Sequence, residues 1–326
     1  MSFSNTYDTT NPGSAVSNRE DLSNVLTILA PEETPVLSSL PKIRASATFH
    51  EWTVDSLASP STAGVNEGSD VTAFTDKFAN RARLGNYVQK FRRDYMVSDL
   101  QQAVDSVGPA KVAQAEAKAV RELKRDVEAT LLSANDRQAE DGVNPYKLRG
   151  LGDWIDSSGP ADVPAAYRTP SDSIYASTAF SEVIMNQIIT SIYRVSGSTQ
   201  NLTLVADTAL RRKISDFART SGATDYSVRR VNMNGDSGEI KLMVDLYKSD
   251  HGTVSIVNMN PDCAPDTTNK DTGYFINPEY AAVAELISLG STRLPNFGGV
   301  ERGFVDAALT LCVYHPGAHG KITQIA

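Results

Sequence analysis

The residues closest to a known catalytic pattern are Gly-Asp-Ser-Gly at 235–238. In one class of serine proteases this tetrapeptide carries the nucleophilic serine, and a histidine base precedes it in the chain. Here only His50 precedes Ser237, and the residues around His50 are typical of a strand. The run Asn-Gly-Asp-Ser-Gly is also ordinary hairpin-turn chemistry. We therefore predict a turn at Ser237 and no catalytic residue.

A metal site is the second chemistry to consider. Cys312, His315 and His319 have the spacing of ligands on one helical face, but Pro316 and Gly317 between the histidines break a helix. This favours a polar loop end. The acidic stretch at 260–271 lacks the ligand spacing and the glycine of an EF-hand loop, which leaves it a weak calcium candidate.

Sequence motifs for cofactors are also lacking. The chain has no P-loop, no dinucleotide-binding glycine pattern and no zinc-protease motif. We predict no cofactor, no metal and no enzyme activity, and turnover in an activity screen would reopen the question.

Composition limits the remaining classes of protein. The chain has 326 residues, 40% of them hydrophobic, which is enough for a sizeable core. Its net charge of -8 argues against wrapping a whole face around nucleic acid. Two cysteines are too few for a disulfide scaffold. Without an N-terminal apolar segment or a long apolar run, we expect a soluble, intracellular protein.

The N-terminal part predicts an arm followed by short helices. Residues 1–16 are polar, and a capping box at Ser17 and Glu20 begins a helical apolar pattern that ends before Pro31. Thr34 and Pro35 then suit the N-cap and first position of a second, short helix.

An extended excursion with little apolar content follows. Alternation around Phe49 to Val54 and again over 86–98 predicts two strands that form one long two-stranded projection, and the stretch between them is rich in Gly, Ser, Asn and Pro. Such a ribbon is marginally stable alone, so we expect its apolar lining to come from outside the ribbon. The segment 77–93, called the basic ribbon, has six cations and no acidic residue: Lys77, Arg81, Arg83, Lys90, Arg92 and Arg93.

The basic ribbon admits three interpretations. It suits an acidic surface on a neighbouring molecule, a solvated ribbon whose charges discourage edge pairing, or a nucleic-acid-binding ribbon with aromatic stacking. Steeply salt-dependent DNA affinity without particle formation would identify the last of these.

The clearest helix is predicted over 109–133. Alanine and other strong helix formers fill it, and apolar residues recur every three or four positions. Lys118 with Glu122 and Lys124 with Glu128 are placed for i,i+4 pairs on the opposite face. From 136 to 170 we predict a connecting loop with short ordered pieces, in which Trp154 and Ile155 are isolated anchors.

The rest of the chain mixes helices and strands. Amphipathic patterns predict helices over 178–197 and 207–222, with a buried strand between them, and further strands from 227 to 259. Extended character returns after Tyr274, and we expect this final stretch to pack beside the long helix. Helices on a mostly antiparallel sheet make the fold class α+β.

Several of these segments together carry a resemblance. The chain resembles a family of tailed-bacteriophage major capsid proteins in five runs of sequence. They are SNREDLSNVLTILAPEETPVLSSLPK, ATFHEWTVDSLASP, GVNEGSDV, AVRELKRDVEATLLS and VDLYKSDHGTVSIV. These proteins share the Hong Kong-type, or Johnson, capsid fold. The resemblance implies this order: N-terminal arm and short helices (1–46), extended loop (47–97), peripheral domain with spine helix and variable loop (98–176), axial domain (177–262) and return strands of the peripheral domain (263–326).

The resemblance also implies a function. A chain of this kind self-assembles through hexamers and pentamers into the icosahedral head shell around phage double-stranded DNA, without sequence-specific binding and without a membrane. Separate scaffold, portal and decoration proteins are possible partners. The chain would be found in the virion after assembly in the host cytoplasm. Some members join neighbours by a lysine–asparagine isopeptide bond, but only Lys77 lies near the loop tip and no partner pair matches by motif.

On this interpretation the extended loop lies across the neighbouring subunit. The predicted assembly contacts are Trp52, Lys77, Arg81, Arg83, Lys90, Arg92 and Arg93. The alternative function is a soluble nucleic-acid-binding protein that uses the basic ribbon 77–93.

Overall fold

The computed structural model describes residues 33–104, 111–177, 180–199, 201–217, 245–266, 268–269, 271–296 and 298–323. The predicted helix beginning at Ser17 and the predicted turn at Ser237 lie outside these residues. Within them, the α-helices are α1 (Pro35–Ser39), α2 (Asp99–Ala103), α3 (Lys111–Leu132), α4 (Leu151–Trp154), α5 (Glu182–Ser196) and α6 (Thr208–Phe217). None of these helices is long and apolar enough to cross a membrane.

Twelve strands are assigned in the described part of the chain. They are β1 (Lys42–Arg44), β2 (Phe49–Val54), β3 (Ala82–Tyr87), β4 (Gln89–Ser98), β5 (Ile174–Ala176), β6 (Leu202–Ala206), β7 (Leu246–Ser249), β8 (Gly252–Asn258), β9 (Gly273–Ile276), β10 (Ala281–Leu294), β11 (Val300–Val313) and β12 (Gly320–Thr323). Short 3-10 turns occur at Ala165–Tyr167, Ser171–Ser173 and Pro316–Ala318.

The long helix α3 supports the first of two cores. Its 22 residues span about 33 Å. Ala119, Leu123, Val127 and Leu131 are buried on one face, as the periodicity predicted. That face packs against β4 and β11, so the final stretch of the chain does lie beside the long helix.

A four-stranded sheet forms the platform for α3, with the strand order β1-β10-β11-β4. The hairpin β10–β11 is antiparallel and pairs over most of its length, and β1 adds to β10 in parallel over three residues. β4 pairs antiparallel with β11 over all ten of its residues. This sheet therefore joins segments that lie more than two hundred positions apart in sequence.

A six-stranded mixed sheet carries the second core, in the order β5-β12-β9-β6-β8-β7. Helices α5 and α6 bury their apolar faces on it, including Ile188, Ile192 and Leu210. The helix α5 ends at Gly197 in the left-handed conformation (φ 70°), which a glycine adopts without strain. The predicted α+β class is thus observed, with helices packed on both sheets.

The prediction of one long projection is right only in part. β2 and β3 do pair as an antiparallel ribbon, with Phe49 opposite Tyr87 and Val54 opposite Ala82. β4 is instead part of the four-stranded sheet, because its alternating Phe91 and Tyr95 are buried beneath the long helix. We call residues 49–87 the extended arm and residues 55–81 its tip.

The segment 136–170 contains short ordered pieces, as predicted, including α4 and the 3-10 turn at Ala165–Tyr167. Trp154 and Ile155 are buried, as predicted. At its centre lies Arg149, whose side chain is 1% exposed and contacts three carboxylates. These are Asp136 at 2.7 Å, Asp162 at 2.8 Å and Asp153 at 3.0 Å. The guanidinium also lies over the Trp154 ring, 4.7 Å from its centroid.

Candidate assembly surface

The tip of the extended arm has no core of its own. Every residue from Asp55 to Arg81 is exposed. Among them are large apolar side chains, with Leu57 99% exposed and Phe74 90% exposed, joined by Val65, Val71 and Phe78. A contiguous segment that exposes so much apolar surface is typical of a protein–protein contact.

The tip is held by short-range polar contacts rather than by sheet pairing. Ser69 donates a backbone N–H to the Asn66 carbonyl at 3.2 Å, and Phe78 donates to the Asp76 carboxylate at 2.9 Å. Tyr167 of the body donates its hydroxyl to the Asn80 carbonyl. Local turns of this kind shape the tip but leave its apolar side chains in solvent.

Most cations of the basic ribbon are already paired within the chain. The pairs are Arg81 with Asp55 (2.8 Å), Arg83 with Glu51 (3.8 Å), Lys90 with Asp306 (3.2 Å) and Arg93 with Asp126 (2.6 Å). The hydrogen bond from Arg81 lowers the pKa of Asp55, and the hydrogen bond to Asp126 raises the pKa of Arg93. The ribbon's charge is therefore largely compensated by carboxylates from β2, β11, α3 and the start of the tip.

Two predicted contact residues remain without such a partner. Lys77 and Arg92 are exposed and make no ion pair among the described residues. Arg92 lies opposite Asp306 in the β4–β11 register, but Asp306 pairs with Lys90. The carboxylates paired with Arg81, Arg83 and Arg93 remain more than a third exposed, so these weak surface pairs could be exchanged for carboxylates of a second molecule at little cost, whereas Asp306, the partner of Lys90, is mostly buried.

Trp52 has a packing role inside its own subunit. Its ring lies 5.7 Å from that of Trp154 and 6.2 Å from that of Tyr314, measured between centroids. The indole N–H is buried and makes no hydrogen bond within the described part of the chain. Trp52 thus fastens the base of the arm to the body.

An aromatic stack completes the base of the arm. Phe49 lies 4.6 Å from Tyr87, and Tyr87 stacks on Tyr146 at 5.5 Å. The guanidinium of Arg137 lies 5.1 Å from the Phe49 centroid. Gly85 lies directly against Phe49, where a Cβ would come within 2.7 Å of the ring, so the strand needs glycine at this position.

Glu128 is a structural residue that the sequence pattern misplaced. We expected it on the exposed face with Lys124, but its side chain is fully buried. Its two carboxylate oxygens accept the backbone N–H groups of Val36 and Leu37, each at 2.9 Å, and so cap α1. Burial raises the pKa of Glu128, and these two hydrogen bonds partly oppose that shift. The other expected pair, Lys118 with Glu122, is present at 3.8 Å.

The histidines near the C-terminus act as hydrogen-bond acceptors for the backbone. His315 Nδ1 accepts the Gly317 N–H, and His319 Nδ1 accepts the Asn277 N–H, both at 3.2 Å. The prediction of a polar loop end is wrong, because Pro316 to His319 are buried. No group of three or more metal-ligating side chains occurs within the ranges the structure describes.

Comparison with known proteins decides the family. A model of the SU10 major capsid protein family matches residues 3–326. The chain belongs to the SU10 major capsid protein family. This capsid protein is a structural component of a phage virion, and the resemblance noted in its sequence is confirmed. A search of curated proteins finds no match.

Solved capsid structures share the fold over nearly the whole chain. One described as the capsid of a native GTA particle is 13% identical, with a TM-score of 0.61, covering 98% of this chain and 99% of its own. A Mycobacterium phage Adephagia chain is 10% identical (TM-score 0.63, 97% and 98% covered). A Cyanophage A-1(L) capsid chain is 14% identical (TM-score 0.61, 98% and 99% covered). The predicted Hong Kong-type capsid fold is confirmed.

Proposed function

We propose that this capsid protein assembles with copies of itself, through hexamers and pentamers, into the icosahedral head shell that encloses the double-stranded DNA of a tailed phage. The observation that carries the proposal is the tip of the extended arm, which exposes Leu57 and Phe74 almost completely. Because the chain belongs to a capsid protein family, a second copy of the same chain is the expected binding partner of this surface. The assignment of the five sequence segments to arm, loop, peripheral and axial parts belongs to the same proposal.

The energetics suit reversible growth of a shell. Burying one leucine or phenylalanine side chain contributes about 1.5–3 kcal/mol, and part of this is offset by the ordering of the tip. Exposed Lys77 and Arg92 add electrostatic attraction to acidic groups on a neighbour. Contacts of this size are individually weak, but closed symmetry repeats them on every subunit, so a complete shell is stable while an incorrect addition can still dissociate.

The overall charge agrees with a container for DNA. A net charge of -8 keeps the shell from holding its contents tightly, since phosphate binding needs clustered cations. The same reasoning weakens the nucleic-acid-binding alternative. Four of the six cations of the basic ribbon already have carboxylate partners in the chain, which leaves little uncompensated charge for phosphates.

Negative-stain electron microscopy with light scattering on the same purified sample tests the proposal. The wild type should give closed shells or rings of five and six subunits. A double variant, Leu57→Ser with Phe74→Ser, should weaken each contact by about 3–6 kcal/mol and leave free subunits. Val183→Ser is the matched control, because Val183 on α5 is a highly exposed apolar residue outside the arm. A wild type that stays monomeric at high concentration and with added scaffold would overturn the proposal.

A further inference from the structure

We propose that residues 137–149, here called the bracket, fix the direction in which the extended arm leaves the subunit, so that the tip is already oriented before it meets a neighbour. This inference rests on the proposed function, because direction matters only if the tip is an assembly contact. It assigns positioning roles to Asn86, Arg137 and Tyr146, which lie outside the tip. The bracket holds the arm through three kinds of contact.

The first contact is a buried amide that joins the arm to the bracket and to the sheet. Asn86 on β3 is fully buried. Its Oδ1 accepts the backbone N–H of Arg149 at 2.8 Å, and its Nδ2 donates to the Arg149 carbonyl at 3.1 Å. The same Nδ2 donates to the Leu311 carbonyl on β11 at 2.9 Å. One side chain therefore ties three backbone segments together and leaves β3 little freedom to rotate.

The second set of contacts holds Gly85 and Gln89, which lie on either side of Asn86 in the chain. Arg137 donates to the Gly85 carbonyl, one residue before Asn86, and also pairs with Asp162 at 3.2 Å. On the other side, Gln89 accepts the backbone N–H of Leu148 at 3.1 Å. The junction of β3 and β4 is thus hydrogen-bonded to the bracket at positions 85, 86 and 89.

The third contact is aromatic. Tyr146 of the bracket stacks on Tyr87, which in turn contacts Phe49 on the opposite strand β2. The guanidinium of Arg137 lies 5.1 Å from the centroid of the Phe49 ring. Both strands of the arm, and not β3 alone, are therefore gripped at the base.

The bracket is itself fixed to the body. Gln138 and Lys147 exchange two backbone hydrogen bonds, at 3.1 and 3.0 Å, and close the bracket into a hairpin. The hairpin ends at buried Arg149, whose pairs with Asp136 and Asp162 anchor it. Disrupting a buried, multiply paired charge is costly, so the bracket is a firm reference for the arm.

The tip, in contrast, has few contacts that could set its direction. Among the described residues, its hydrogen bond to the body is the one from Tyr167 to Asn80. Its ion pair between Arg81 and Asp55 joins one end of the tip to the other. A segment held in the bound orientation loses less freedom on docking and therefore binds more tightly for the same contacts.

Distance measurement by electron paramagnetic resonance in unassembled subunits tests the inference. Spin labels at Ser56→Cys, next to β2, and at Lys118→Cys, on the exposed face of α3, report the angle of the arm. The native thiols do not interfere, because burial raises the pKa of Cys263 to about 11 and of Cys312 to about 12. The wild type should give one narrow distance distribution.

The test variant removes two partly exposed bracket side chains, Arg137→Ala with Tyr146→Ala. We expect loss of the narrow distance and slower shell growth, while the circular dichroism melt shows a folded subunit. Arg293→Ala is the control, since it removes an ion-paired arginine that contacts Glu116 at 3.6 Å, away from the arm. The control should keep the narrow distance.

The outcomes separate this inference from the proposed function. An unchanged distance distribution in both the double variant and Asn86→Ala would overturn the bracket, whatever the particles do. A broadened distribution with shell growth at the wild-type rate would also overturn it, because pre-orientation would then have no effect on assembly. Failure of the proposed function has a different signature, namely a wild type without particles or tip variants that assemble normally.

Discussion

Acidification should destabilise the subunit through His319. The imidazole is completely buried, and this burial lowers its pKa from 6.5 to about 4, with nearby His315 acting in the same direction. Because the unfolded chain binds a proton more readily than the folded one, stability falls as the pH drops from 6.5 toward 4. At about 1.4 kcal/mol per pH unit, the loss between pH 7 and pH 5 is about 2 kcal/mol.

The geometry explains why the folded state resists this proton. Nδ1 of His319 accepts the Asn277 N–H at 3.2 Å, and Nε2 lies 3.4 Å from the Tyr280 carbonyl. The neutral ring with its proton on Nε2 satisfies both partners. A second proton, on Nδ1, would have to displace the Asn277 N–H. No carboxylate contributes to the pKa of His319, so none stabilises the protonated ring.

Urea unfolding of unassembled subunits at pH 7 and at pH 5 measures the effect. His319→Asn keeps an acceptor for the Asn277 N–H but does not titrate, so it should be less stable at pH 7 and should lose part of the pH dependence, while His315, whose pKa burial also lowers, retains its own share. Val183→Asn, a change at an exposed residue that does not titrate, should keep the wild-type dependence. Glu128 works in the opposite direction, since its raised pKa favours the folded state as the pH falls. The reasoning is refuted if His319→Asn retains the wild-type difference between the two pH values.

Two further predictions concern α1 and the basic ribbon. Glu128→Ala leaves the buried N–H of Val36 and the neighbouring N–H of Leu37 without acceptors, and it should lower the free energy of unfolding by about 1–3 kcal/mol in urea, with a smaller loss for Glu128→Gln. Equal stability of all three proteins would contradict the capping role. Charge reversal at Arg81, Arg83, Arg92 and Arg93 should leave the subunit folded, because exposed ion pairs contribute little to its stability. The same variant should form no particles in electron microscopy. Normal particles would show that the ribbon is not an assembly contact.

Local patterns predicted the elements whose stability is mainly local. The alanine-rich run and its apolar periodicity were sufficient for α3, and a glycine at 197 marked the end of α5. The strand β2 likewise follows from its alternation, and the extended character of the segments that form β10 and β11 was also predicted, although their pairing was not. These features depend on neighbours within a few residues, which a single sequence displays.

What the sequence did not display was pairing between distant segments. β4 alternates as a ribbon strand would, and only its register with β11, two hundred positions later, decides which sheet it joins. Glu128 had a lysine at i-4 and so matched an exposed pair, while its actual partners are amides of α1. The carboxylates around Arg149 lie in a segment whose Gly, Pro and Asp content is that of a loop.

The candidate assembly surface was likewise predicted only in part. Low apolar burial within 55–81 was readable from composition, and the structure places those residues in solvent. The basic ribbon looked uncompensated because its window of sequence contains no acid, yet its carboxylates come from Glu51, Asp55, Asp126 and Asp306. The net charge of one sequence segment therefore does not give the charge of the surface that it forms, because folding brings charged partners from other segments.

The order of strands in the four-stranded sheet has a mechanical consequence. The arm connects β1 with β4, which are the two outer strands of the same sheet. A force on the tip that is large enough to release the bracket contacts is therefore divided between both edges. One edge is paired over ten residues and the other over three. The shorter edge would yield first, and the cap of Glu128 on α1, just upstream of β1, is what limits how far the chain could then be drawn out.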